Sequence, residues 1–122
     1  MRYLVDSNIL IYASQEGYDR VATFIAENLP SVSILTKIEV MGFHQLDQTV
    51  TNNFEKLFGT LQVIPLTDII ANKAIEIKRV RKTKLADAII AATALTENLT
   101  LVTRNTDDFK KIDSLSILNI ID

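Results

Sequence analysis

The chain has 122 residues, 48% of them hydrophobic, and a net charge of −2 at pH 7. That is enough for one packed domain spanning 1–122, and three Gly and two Pro argue against long disordered stretches. With no cysteine, a disulfide, a thiolate zinc site and a cysteine nucleophile are all excluded.

No apolar run reaches the roughly 18 to 20 residues of a membrane helix. Asp6 breaks the first apolar segment too early for a signal peptide, so a cytoplasmic location is expected. The mild negative charge does not announce a nucleic-acid binder, so any such contact needs a local patch. The densest patch is Lys78, Arg79, Arg81, Lys82 and Lys84. It also reads as ordinary solvated cations complementing a helix C-terminus.

Tyr3-Leu4-Val5 reads as a first strand, apolar on both faces, and Asn8 to Ala13 as a short helix. Apolar residues at Tyr18, Val21, Ala22, Ile25 and Leu29 predict a helix that Pro30 stops. Val32 to Leu35 is a second strand, Thr36 to Leu46 and Thr49 to Phe58 are helices, and Leu61 to Ile64 is a third strand ended by Pro65. Asp68 to Arg81 is a long helix with Ile69, Ile70, Ala74, Ile77 and Val80 on its core side. A very apolar helix follows over Leu85 to Glu97. Leu99 to Thr103 is a strand, Asp107 to Ile112 a helical turn, and Leu115 to Ile120 a last strand. Short apolar strands alternating with helices predict an α/β domain whose central, mostly parallel sheet of four or five strands is flanked by helices. Such sheets bind ligands outside the carboxyl ends of their strands. The polar residues expected there are Asp6, Glu39, Asn105, Asp107 and Asp108.

Three acids stand out. Asp6 ends an apolar strand, where it serves either as a site acid or as a helix N-cap. Thr36-Lys37-Ile38-Glu39 matches a capping box. Glu39 nevertheless shares a helical face with Leu35, Gly42, Phe43 and Leu46, which predicts that it points inward. Asp87 lies within Leu85-Ala86-Asp87-Ala88-Ile89-Ile90-Ala91-Ala92, with Ile90, Ala91 and Ala94 on its own face. A carboxylate in such a helix needs a partner, a hydrogen bond or a metal. Its place in the first turn favours the ionised form. Converging carboxylates repel unless a cation intervenes, and an all-oxygen donor set suits Mg²⁺ or Mn²⁺ rather than zinc. The single histidine, His44, is five residues beyond Glu39 and points away from that face; a two-histidine ribonuclease is excluded by count.

Four segments resemble, in order, the motifs of PIN domains, above all the VapC toxins of prokaryotic toxin–antitoxin pairs. They are Leu4-Val5-Asp6-Ser7-Asn8-Ile9-Leu10, Ser33-Ile34-Leu35-Thr36-Lys37-Ile38-Glu39, Lys84-Leu85-Ala86-Asp87-Ala88-Ile89-Ile90-Ala91-Ala92 and Leu101-Val102-Thr103-Arg104-Asn105-Thr106-Asp107-Asp108-Phe109. The resemblance runs from Tyr3 to about Ile120. It implies a three-layer PIN fold with metal-binding acids at Asp6, Glu39 and Asp87, and support from Asn8 and Thr103. Many members carry a fourth acid where this chain has Asn105. Asp108 is the residue placed to help in its stead. The resemblance further implies Mg²⁺ or Mn²⁺, RNA cleaved by activated water, a homodimer, and a VapB-like antitoxin inserted in the active-site groove. The expected RNA-binding cations are Arg104, Lys82 and Lys84, which border this site, with Asn8 to Tyr12 and Phe43 supplying apolar surface beside it.

Rival readings fit less well. A receiver domain needs an acidic pair after the first strand and a late Lys, whereas this chain has Asp6 alone and Thr103-Arg104-Asn105. A phosphohydrolase of the haloacid dehalogenase type needs Asp-x-Asp, and Asn8 replaces the second acid. A PIN fold used only for binding stays open, because Asn105 carries no charge.

Overall fold

In the computed structural model, which describes residues 2–122, the chain alternates short strands with helices. The order is β1 (Tyr3–Val5), α1 (Ser7–Ala13), α2 (Asp19–Asn28), β2 (Val32–Ser33), α3 (Ile34–Met41), α4 (Gln48–Thr60) and β3 (Val63–Ile64). Then come α5 (Asp68–Val80), α6 (Leu85–Thr96), β4 (Thr100–Val102), α7 (Thr106–Phe109) and β5 (Ile117–Leu118).

β1 pairs in parallel with β4, Val5 opposite Val102, and β4 pairs in parallel with β5. β2 and β3 form a second parallel pair. A parallel bridge between Leu4 and Ser31 joins the two, with the Ser31 N–H donating to the Tyr3 carbonyl at 2.8 Å. The order across the strands is therefore β3-β2-β1-β4-β5, all parallel. The chain leaves β1 toward β2 on one side and returns to β4 on the other. That switch opens a crevice outside the carboxyl ends of β1 and β4.

Alternation along the strands divides the core into two layers. Leu4 and Leu101 face a cluster made with α5 and α6, including Ile70, Ala74, Ile77 and Ala91. Val5 and Val102 face a cluster made with α1, α2 and α4, including Ile9, Ile25 and Phe54. A period of two puts neighbours on opposite faces, so three layers result. α6 is buried on nearly all sides from Ala88 to Ala94, as a helix apolar all round must be. No helix among the described residues is long and apolar enough to cross a membrane.

Every expected element is present, with shifts at the ends. The largest is at α3, expected to run to Leu46 and ending at Met41; another is at β2, expected to reach Leu35. That strand stops at Ser33, whose Oγ accepts from the Leu35 N–H at 3.1 Å and caps α3. The capping box at Thr36 is thereby overturned: Thr36 sits one turn inside the helix, fully buried, its hydroxyl without a hydrogen-bond partner among the described residues. Ile69 and Val80, expected on the core side of α5, are 69% and 71% exposed. The buried stripe is Ile70, Ala74 and Ile77, and each of these two residues lies about 100° off it.

Candidate active site

Asp6 directly follows β1, and its N–H donates to the Val102 carbonyl of β4 at 3.3 Å. Its side chain caps α1, Oδ1 accepting from the Ile9 N–H at 3.1 Å. The N-cap reading of Asp6 and the site reading thus hold together. Thr103, fully buried just after β4, lies near enough to this carboxylate to lower its pKa. Asn8 was expected to support Asp6 by a hydrogen bond; it is exposed on the cavity wall instead, because the cap geometry brings Ile9 N–H to the acid. Burial pushes the Asp6 carboxyl above its ordinary value. Thr103 and the bond from the Ile9 N–H oppose this, and the charges of Asp87 and Glu39 add to it.

Glu39 departs from expectation. α3 buries Thr36 and Val40, one turn apart, so Glu39 turns outward and is exposed, as are Gly42 and Phe43 on its face. It is held all the same: the Ser7 hydroxyl donates to Glu39 Oε1 at 2.6 Å. Sequence reasoning missed Ser7, although it sits between Asp6 and Asn8 in the first motif.

Asp87 occupies the first turn of α6, half-buried, above the buried Ile90, Ala91 and Ala94. Desolvation pushes its carboxyl up, and the charge of Asp108 adds to that. Lys84 lowers it, and Glu39 raises it further. Asp108, on α7, accepts from Asn105 Nδ2 at 2.7 Å. The Asn105 N–H in turn donates to Thr103 Oγ1 at 3.0 Å. Thr103, Asn105 and Asp108 therefore form one hydrogen-bonded chain at the end of β4, beside Asp6.

The four acids come from four separate segments; Asp6 feels the charges of Asp87 and Glu39, and Asp87 those of Asp108 and Glu39. They do not close tightly: among the described residues, no three of His, Cys, Asp or Glu are placed to hold a metal ion together. Mutual repulsion between carboxylates gives that spread a physical reason. Their all-oxygen chemistry suits a hard divalent cation that keeps part of its water shell, which would also offset the like charges acting on Asp6 and Asp87.

The cations take two positions. Arg104 lines a cavity of about 250 Å³ with Asp6, Asn8, Tyr12 and Asn105. Its guanidinium donates to the Tyr12 hydroxyl at 2.8 Å, lies 5.4 Å from that ring centroid, and pairs with Asp122 at 3.3 Å. Lys82 and Lys84 line a separate cavity with Asp87 and Asp108. Of the apolar surface expected at Asn8 to Tyr12 and Phe43, Phe43 is 63% exposed and Ile11 and Tyr12 are half-buried, but the rest of the apolar stretch is not there. Ile9 and Leu10 are fully buried, because α1 spends its apolar side on the core. An apolar groove of about 650 Å³ lies instead between α1, α2 and α4, lined by Ala13, Ile25, Leu29, Phe54 and Leu57 among others.

The PIN domain model matches residues 3–115. This chain belongs to the PIN domain family. PIN domains are generally nucleases and typically use divalent metals. No curated protein matches the sequence. Among solved structures, this PIN domain is similar to a toxin–antitoxin complex from Klebsiella pneumoniae, 28% identical over 95% of each chain with a TM-score of 0.78. It is also similar to VapBC2 from Rickettsia felis bound to a DNA fragment from their promoter, 25% identical over 98% of each chain with a TM-score of 0.76. VapBC-1 from nontypeable Haemophilus influenzae shares the fold at a TM-score of 0.80, 24% identity and 98% coverage of each chain.

Proposed function

We propose that this chain is a metal-dependent endoribonuclease, the VapC-type toxin of a toxin–antitoxin pair. The observation that carries the reading is the gathering of Asp6, Glu39, Asp87 and Asp108, with Asp87 within charge range of the other three, beside the switch point of a PIN fold. Asp6, Glu39 and Asp87 are the residues that would hold Mg²⁺ or Mn²⁺. When bound, such an ion polarises a water and offsets charge on the phosphodiester.

The side chains divide the remaining work. Thr103 and the Ile9 N–H orient Asp6, and Ser7 orients Glu39. Asn105 holds the exposed Asp108 carboxylate, which in this reading assists through water in place of the acid missing at position 105. Asn8 lines the strand's path beside Asp6. Arg104 on the Asp6 side, and Lys82 with Lys84 on the Asp87 side, bring the phosphate backbone to acids that would otherwise repel it.

The partner is a VapB-like antitoxin. The α1–α2–α4 groove is apolar enough to take an amphipathic segment of it, and the similar structures are themselves toxin–antitoxin complexes. Ile69, Val80 and Leu85, exposed along α5 and the start of α6, support a homodimer.

Purified protein incubated with RNA should cleave it in Mn²⁺ and not in chelator, and Asp87→Asn should abolish cleavage. A second reading, a PIN fold used only for binding, is favoured by Asn105 in place of an acid and by the open arrangement of the carboxylates. Metal-loaded wild-type protein that binds RNA or an antitoxin but never cuts would select it.

A further inference from the structure

Beyond the acids, the chain opens a cavity of about 460 Å³ whose lining includes Arg81, Lys82, Lys84 and Lys111 together with Asp87 and Asp108. The cations come from distant parts of the chain. Arg81 caps the end of α5, Lys82 and Lys84 lie in the loop before α6, and Lys111 follows α7. The loop is braced: Lys78 Nζ donates to the Thr83 carbonyl at 2.7 Å, and the Thr83 hydroxyl to the Arg81 carbonyl at 3.2 Å. Among the described residues the ion pairs are Lys73–Glu76, Arg104–Asp122 and Lys110–Asp107. None of them engages Arg81, Lys82, Lys84 or Lys111. These four cations and Lys78 line one cavity, and none of the four is ion-paired among the described residues. Asp87 and Asp108 offset only part of that positive charge.

A solvated helix end explains cations along one helix. It does not explain Lys111, which another segment brings to the same cavity. Asp87 and Asp108 line the same cavity, and both belong to the acid set. A polyanion in the cavity would therefore run straight on from the acids.

We propose that this cavity is a phosphate subsite for single-stranded RNA, taking the backbone phosphates adjacent to the scissile one, with Arg81 and Lys111 as contacts in addition to Lys82 and Lys84. The proposal rests on the nuclease reading. A polyphosphate strand is favoured over an acidic peptide because only a nucleic acid also has a reacting group for the carboxylates next door.

The test is binding of a fluorescein-labelled single-stranded RNA in chelator across a salt series, paired with cleavage kinetics in Mn²⁺. Lys111→Ala and Arg81→Ala should each weaken binding about fivefold at low salt and flatten the slope of log affinity against log salt by about 0.7. In cleavage, KM should rise while kcat stays within about twofold, the signature of lost uniform binding. Lys111→Gln guards against a folding defect and should behave as Lys111→Ala does. Lys56→Ala, the same charge change on the exposed side of α4, should leave the slope unchanged. Wild-type cleavage with unaltered slopes in the Arg81 and Lys111 variants overturns the subsite and leaves the nuclease standing. RNA binding that these variants flatten, without cleavage in any metal, upholds the subsite and removes the nuclease. If polyglutamate binds as tightly as RNA and the same variants weaken it equally, the cavity is an acidic-peptide site and the proposal is wrong.

Discussion

Ser7 Oγ donates to Glu39 Oε1 at 2.6 Å, joining the start of α1 to the middle of α3 across 32 positions of sequence. It fixes an otherwise exposed carboxylate whose charge acts on Asp6. Ser7→Ala should lower kcat by about 10- to 100-fold, the usual consequence of losing a partner that orients a metal-binding group. Stability should fall by about 1 kcal/mol or less, because the bond is solvent-exposed. Ser7→Thr keeps the hydroxyl and should restore most activity. A Ser7→Ala enzyme with wild-type kcat and metal affinity would show that Glu39 needs no such guide.

The raised Asp6 and Asp87 carboxyls make metal-free stability depend on pH. Each binds its proton more readily folded than unfolded, where an aspartate sits near the ordinary value of 3.8. Their contribution to stability is therefore full below that value and is lost as pH rises through the raised folded values. Asp107, held down by Lys110, contributes in the opposite sense as pH falls. Melting temperature in chelator should decline as pH rises above about 4, and Mn²⁺ should cancel the decline. The double variant Asp6→Asn/Asp87→Asn should melt higher at neutral pH, with Asn keeping the α1 cap. An unchanged pH slope in that variant would place its origin elsewhere.

Asn105 donates to Asp108 Oδ2 at 2.7 Å where many PIN domains carry an acid. Asn105→Asp removes that hydrogen bond and sets two carboxylates against each other. Metal-free stability should drop by about 1 kcal/mol, while Mn²⁺ should bind several-fold tighter by titration calorimetry. A variant that loses stability without any gain in metal affinity would mean that position 105 lies outside the metal's reach.

Leu29 ends α2 in the left-handed region, φ 44°, with 58% of its surface exposed. A branched residue there costs roughly 1 kcal/mol, and glycine does not. Leu29 also lines the apolar groove. Leu29→Gly should raise the melting temperature by a few degrees and weaken antitoxin binding. Antitoxin affinity equal to wild type would remove Leu29 from that interface.

Much was legible in the chain itself. The short apolar runs of β1 and β4 and the helical stripe containing Ile70, Ala74 and Ile77 are local signals, because burial selects residue type over short spans and at fixed spacing. Asp6 and Asp87 stood out for the same reason: a carboxylate beside apolar neighbours breaks the pattern. The chain alone did not set where α3 begins. Ser33 and Thr36 are both competent caps, and pairing of β2 with β3 chose Ser33. That choice turned Glu39 outward and brought it under Ser7. Nor did local pattern separate Ile69 and Val80 from the core stripe, since each lies only about 100° away. Long-range proximity was the other hidden variable. Lys111 stands beside Arg81 and Lys84 only because α7 and the α5–α6 loop meet over one cavity. Sequence determined which residues belong inside and which acids are out of place, because those depend on nearest neighbours. Tertiary structure decided which charges face one another, because that depends on how distant segments pack.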